Sequence, residues 1–181
     1  LCTKTAPFKG TIEGQIDQNF DVTAPFIAYA EDATISNVII KSASIESGND
    51  NGDAAAIVGT AKGNTRIYNC GVNGGSINTS SVAGGTHYVG GIVGMLDDYS
   101  RVINCYSFAE IKGGTDVGGI VGHNDYASKA DDLHTMVMNC MFYGDISGGT
   151  NVSPVYGGYN LDNVSDNVGL NTFNYYAYSQ L

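Results

Sequence analysis

The stretch Val102-Ile103-Asn104-Cys105-Tyr106-Ser107, followed by Gly118-Gly119-Ile120-Val121-Gly122, decides the fold. The same two phrases recur, in the same order, on either side of it. Ile67-Tyr68-Asn69-Cys70 precedes Gly90-Gly91-Ile92-Val93-Gly94, and Val137-Met138-Asn139-Cys140 precedes Pro154-Val155-Tyr156-Gly157. A weaker copy opens the series, Ile35-Ser36-Asn37-Val38 with Ala55-Ala56-Ile57-Val58-Gly59, and a half-copy, Thr172-Phe173-Asn174-Tyr175-Tyr176, closes it. Self-similarity at a fixed period is the signature of a stacked repeat. The asparagines at 37, 69, 104, 139 and 174 are spaced by 32, 35, 35 and 35 residues. The shortest gaps, 16 residues from Asn to the second phrase and 12 onward, make a unit of 28 residues. The surplus falls at two fixed points of the unit, which is how loops leave a stacked coil.

Counting from each Asn, position +1 is Val38, Cys70, Cys105 and Cys140, and position +3 is Ile40, Val72, Ser107 and Phe142. Position +5 is Ser42, Gly74, Ala109 and Gly144, and beyond it stand Ile45, Ile77, Ile111 and Ile146. Apolar or small residues at every second position describe a strand with one buried face. Upstream, Ile35, Ile67, Val102 and Val137 at −2 break that parity, so the chain turns at the Asn, a residue that tolerates the left-handed region. The diglycines 90–91 and 118–119 are expected to make a second corner by adopting positive φ. Gly-Gly-Thr at 84–86, 113–115 and 148–150 forms a third column. Short strands joined by sharp corners predict an all-β fold, a parallel β-solenoid with a right-handed coil as the expectation. Helical repeats are disfavoured by mid-unit glycine and by the lack of 3.6-residue spacing.

The Ile-x-Asn-Cys-Tyr-Ser and Val-Gly-Gly-Ile-Val-Gly phrases resemble the GLUG-motif repeats of bacterial cell-surface proteins. That group includes large adhesins and the repeat regions attached to immunoglobulin A1-type metallopeptidases. Pro7-Phe8-Lys9-Gly10-Thr11-Ile12-Glu13-Gly14 resembles the segment that leads into such repeats, and Ala24-Pro25-Phe26-Ile27-Ala28 stands where the family has Gly-Leu-Phe-Gly. The resemblance covers residues 7–176, and departs at Pro154 for Gly and Tyr175 for Cys. It implies a β-solenoid displayed outside a bacterial cell and carries over no catalytic residue.

The 181 residues are read as one continuous solenoid: a capping coil at 1–34, repeat coils at 35–157 and a C-terminal capping segment at 158–181. Only 14% of residues are charged, while glycine numbers 25, a turn-dense composition. The net charge of −10 argues against nucleic acid and anionic membrane surfaces as partners. No run of 18 apolar residues is present to span a membrane. A secreted or surface-attached location is expected, with Cys2 a candidate lipid-bearing residue.

The Cys70, Cys105 and Cys140 column is read as buried thiols, because stacked equivalent residues diverge from a tetrahedral metal site and fit disulfide geometry poorly. Asn37, Asn69, Asn104, Asn139 and Asn174 form a structural ladder expected to bond along itself and to satisfy corner backbone groups. The weak calcium candidates are Asn49, Asn51 and Asp53, set against an ordinary acidic turn. No cofactor is implied. No catalytic motif is present, His87, His123 and His134 are scattered, and Asp97-Asp98 and Asp131-Asp132 are adjacent pairs expected to point apart. Arg66 and Arg101 share one position and are expected to stack as an outward column paired with acids. The insertions at 123–134 and 158–169 follow the same phrase in successive coils, so Tyr126, Asp131, Asp132, Tyr159 and Asp162 become the ligand-facing candidates. The reading is a non-enzymatic surface module, adhesin or rigid spacer, belonging to a larger surface protein and meeting a host glycan or protein receptor. The alternatives are a carbohydrate-binding or polysaccharide-cleaving β-helix, and the stalk of a larger surface peptidase.

Overall fold

The structure is a computed structural model, and it describes residues 5–13, 19–22, 24–47, 53–79, 87–125, 135–159, 171–173 and 176–180. Among these every regular element is a strand and every strand pairing is parallel. No helix long and apolar enough to cross a membrane occurs among them. The chain is a β-solenoid whose successive rungs lie 32 to 35 residues apart in the repeats, as in Ile35↔Ile67, Ile67↔Val102 and Val102↔Val137.

Each coil visits four sheets in turn. Sheet 1 holds Thr11–Glu13, Thr34–Ser36, Arg66–Tyr68, Arg101–Ile103, Met136–Met138 and Asn171–Phe173. Sheet 2 holds Asn19–Val22, Ile39–Ser47, Gly71–Val72 with Gly75–Thr79, Tyr106–Ser107 with Glu110–Gly113, Met141–Ser147 and Tyr176–Gln180. Sheet 3 holds Tyr88–Gly90, Asp116–Gly118 and Asn151–Ser153, with Ala54 bridged to Val89. Sheet 4 holds Ile27–Glu31, Val58–Lys62, Val93–Asp97, Val121–Asp125 and Tyr156–Tyr159. The N-terminal segment thus joins sheets 1, 2 and 4 as a rung of its own, and Phe8 bridges to Ala30.

The core is a set of columns of like residues. Ile35, Ile67, Val102 and Val137 stack under sheet 1, and Ile45, Ile77, Ile111 and Ile146 under sheet 2, all buried. Ile57, Ile92, Ile120 and Val155 line the bend between sheets 3 and 4. Burying aliphatic columns supplies the main favourable term, at roughly 1.5–3 kcal/mol per large side chain. The inward parity on sheet 2 departs from the expected position +5. Ala43 is buried where Ser42 and Gly74 are half-buried. The two earlier coils carry one residue more than the later ones between the paired columns Val72↔Ser107 and Ile77↔Ile111, which shifts the inward position by one.

The asparagine corners are as expected in backbone: φ is 56° at Asn37, 53° at Asn69, 53° at Asn104 and 52° at Asn139. Their side chains take up one of the two expected roles, bonding along the ladder, and leave the other to the backbone. The corner amides are satisfied by the backbone of the next rung, Asn37 N–H by the Tyr68 carbonyl (3.2 Å) and Asn104 N–H by the Met138 carbonyl (3.0 Å). The side chains of Asn69 and Asn104 lie exposed, and Asn104 Nδ2 donates to Asn69 Oδ1 at 3.3 Å. The choice of Asn is therefore one of backbone conformation. Asn174 lies outside the described residues. An Asn104→Leu chain should lose about 1–2 kcal/mol, the cost of forcing a branched side chain into the left-handed region, while Asn104→Gly should stay close to the parent. Equal melting temperatures for parent and Asn104→Leu would contradict this corner.

The diglycine expectation needs correction. Positive φ falls on Gly113 (94°), Gly114 (82°), Gly148 (100°) and Gly149 (63°), at the turn from sheet 2 to sheet 3. Gly90, Gly91, Gly118 and Gly119 are absent from the positive-φ set. They are small for another reason: the chain doubles back there, and sheets 3 and 4 approach backbone to backbone. A Cβ on Gly91 would meet the Gly119 carbonyl oxygen, and one on Gly118 the Val121 carbonyl oxygen.

Candidate functional site

Two places in the coil carry polar chemistry: the arch between sheets 3 and 4, and the corner between sheets 4 and 1. At the arch, the glycine-lined bend brings residues seven apart in sequence face to face. Asp53 meets Thr60, whose Oγ1 donates to Asp53 Oδ2 at 2.6 Å. Two rungs on, Asp116 meets His123, with Nδ1 2.6 Å from Oδ2 and both side chains almost fully buried. Asn151, the rung neighbour of Asp116 on sheet 3, donates from Nδ2 to Asp116 Oδ1 at 2.7 Å. Gly158, paired with His123 on sheet 4, leaves the space that the Asp116 carboxylate fills. On the other side Tyr88 stacks on the His123 imidazole, with ring centroids 4.1 Å apart and planes 12° apart. Burial, reinforced by the charges of Asp116, Asp53 and Asp125, pushes the Tyr88 phenol up.

Asp116 thus fixes the imidazole through Nδ1, while Tyr88 covers one ring face. This is the orienting half of an acid–base arrangement. Among the described residues no serine, threonine or cysteine is hydrogen-bonded to His123. The pair was missed in the sequence because its spacing belongs to the arch, and no strand or helix period reports it. Replacing Asp116 by Ala would strip the acceptor from both His123 and Asn151. A loss of about 1–3 kcal/mol in urea unfolding is expected, with Asp116→Asn losing less because it keeps an oxygen toward Asn151. An Asp116→Ala midpoint equal to that of the parent would remove the pair from the stability of the arch.

At the second corner the early coils close tightly through left-handed residues, Asp32 (φ 50°), Gly63 (φ 68°) and Asp98 (φ 54°). Asp97 and Asp98 were expected to point apart. Instead both face Lys62, whose Nζ lies 2.9 Å from Asp97 Oδ2 and 3.9 Å from Asp98 Oδ2. The left-handed turn at Asp98 swings its carboxylate round, and Gly63 N–H donates to it at 3.4 Å. Its hydrogen bond to Asp97 holds the Lys62 ammonium above its ordinary value. In the two later coils the same corner is where the long insertions leave. Strands ending at Asp125 and Tyr159 are neighbours on sheet 4, and strands starting at Met136 and Asn171 are neighbours on sheet 1. Segments 126–134 and 160–170 therefore depart and return side by side. Tyr126, Asp131, Asp132 and Asp162, together with His134, lie outside the described residues, as does the side chain of Tyr159.

The remaining candidates are structural. Cys70, Cys105 and Cys140 are free and buried, each thiol within 3.3–3.8 Å of two carbonyl oxygens, as in Cys105 Sγ to Ile103 and Ile67. Burial pushes the Cys105 thiol well up. Asn49 and Asn51 lie outside the described residues, and no group of three or more His, Cys, Asp or Glu converges among the described ones. Arg66 and Arg101 do pair in register, but the described ion pairs include neither. Their column neighbours on the described strands are Thr34 and Met136, neither of them an acid. His87 is buried, and its carbonyl oxygen accepts from the Asp116 N–H at 3.3 Å.

No family model and no curated protein matches the chain. Among solved structures, an IgA1 protease aligns over 92% of this chain with a TM-score of 0.42 and 14% identity. The chain spans 16% of that protein's length.

Proposed function

We propose that the chain is a non-enzymatic segment of a bacterial cell-surface repeat protein, a stiff spacer that holds segments 126–134 and 160–170 out toward a receptor. The observation that carries this reading is the coincidence of the two departure points on consecutive rungs of one corner, where the strands of sheets 4 and 1 pair without a register shift. Loops are the part of a repeat that varies in content without disturbing the core, and side-by-side loops on a rigid stack make a composite surface. The likeness to GLUG-motif repeats supports the same assignment. An array of host glycans and receptor proteins, probed with the intact chain and with Tyr126→Ala and Tyr159→Ala, tests it. A specific signal that both variants lose at unchanged melting temperature is expected. A signal indifferent to both changes, or turnover of a polysaccharide by the chain itself, would refute the display role.

A further inference from the structure

The outer face of sheet 2 takes no part in the core or in the loop corner. Alternation along its strands sets two outward rows beside each other. The first row is apolar, three aromatic rings and one methionine. Tyr106 and Phe108 belong to one rung and Met141 and Tyr143 to the next, with Phe108, Met141 and Tyr143 exposed at 38%, 41% and 58%. Ring centroids of Tyr106 and Phe108 are 5.0 Å apart, and Phe108 meets Tyr143 edge-on at 6.3 Å. Tyr106 Oη donates to Asn73 Oδ1 at 2.7 Å, which ties the edge of the row to the rung before it. The backbone of the following rung pairs with this one in register, Met141 with Tyr176 and Tyr143 with Tyr178. The second row lies two residues further along each strand and is made of hydrogen-bonding groups. Glu110 pairs with Ser76 and Asp145 with Gln180, and both carboxylates are exposed.

Rings with polar tips, on a flat sheet and about 7 Å from a row of carboxylates, match the two sides of a sugar: an apolar C–H face and a rim of hydroxyl donors. The carboxylates accept those donors and repel anionic chains, and the net charge of −10 acts in the same direction. A second copy of the chain is a poor occupant, because two chains of net charge −10 repel each other. We infer that the outer face of sheet 2, built by Tyr106, Phe108, Met141 and Tyr143 against Glu110 and Asp145, binds a neutral polysaccharide. This site is separate from segments 126–134 and 160–170, so a glycan signal that survives Tyr126→Ala and is lost in Tyr143→Ala belongs to sheet 2 and is set aside in judging the display reading.

Affinity electrophoresis of the whole chain tests it, in native gels cast with hydroxyethylcellulose, galactomannan or mixed-linkage glucan, and with polygalacturonate as the anionic comparison. Retardation is expected in at least one neutral gel and not with polygalacturonate. Tyr143→Ala and Phe108→Ala should each weaken it about tenfold, the scale of one ring contact, and keep the parental melting temperature because both side chains are exposed. Glu110→Gln with Asp145→Asn should also weaken it, while Tyr126→Ala should leave it intact. No retardation in any of the three neutral gels overturns the inference, as does retardation unchanged in both aromatic variants or seen with polygalacturonate alone. Sedimentation showing a dimer that Tyr143→Ala dissolves would give the face to a second copy and overturn it equally.

Discussion

A Gly122→Val chain should lose at least about 3 kcal/mol of stability, enough to leave much of it unfolded or insoluble. Gly122 follows Val121 on sheet 4, in one column with Gly59, Gly94 and Gly157. A Cβ at this position would sit 2.5 Å from Val89 N, 2.6 Å from the Gly94 oxygen and 2.7 Å from Val89 C. All three are backbone atoms, so no side chain can swing aside to make room. Relief requires sheet 3 and sheet 4 to separate, and that opens the arch that holds Asp116 against His123. Damage should also spread along the stack, since each coil is stabilised mainly by its two neighbours. Urea unfolding of the soluble fraction measures the loss; a midpoint within error of the parent would mean that the glycine column does not mark a backbone contact.

A Phe142→Ala chain should lose about 3–5 kcal/mol. Phe142 is the largest of the fully buried side chains among the described residues. It occupies the column that holds Ile40, Val72 and Ser107 in the earlier rungs. Its ring fills the volume left by Gly119, where a Cβ would strike it, and by Gly144, where a Cβ would come within 3.3 Å of its tip. Truncation therefore removes an aromatic ring and leaves a cavity bounded by glycines that cannot fill it. Phe142→Leu should recover most of the loss, because it conserves much of the volume. Equal unfolding midpoints for the Ala and Leu variants would show that the site collapses freely, contrary to a rigid stack.

Much of this fold is written in the order of residues. A two-residue alternation flanking Asn37, Asn69, Asn104 and Asn139 identifies the inward columns, and the parity break at each Asn locates a left-handed corner, because local sterics alone favour Asn there. Local reasoning failed where the cause is contact between distant backbones. Gly90, Gly91, Gly118 and Gly119 look like flexible turn residues, yet they are small because another strand lies against them. The same arch hides the Asp116–His123 pair, since seven residues correspond to neither a strand nor a helix period. At Asp97-Asp98, strand alternation misplaced the second carboxylate because Asp98 has already left the strand. The apolar row on sheet 2 was legible in principle. Tyr106 and Phe108, and Met141 and Tyr143, all stand on the outward parity, opposite the columns that were read as core.

A β-solenoid requires coils that stack rung upon rung, and a deletion tests that most directly. Removing residues 105–139 excises one complete coil and joins Asn104 to Cys140, which occupies the same repeat position as Cys105. Removing residues 105–121 excises about half a coil and joins sheet 1 to the middle of sheet 4. Thermal unfolding followed by far-ultraviolet circular dichroism should show a β-rich chain with one cooperative transition after the first deletion, at a somewhat lower temperature than the parent. The second deletion should abolish the transition. Loss of cooperative folding in both chains, or its retention in both, would contradict a solenoid built of in-register coils.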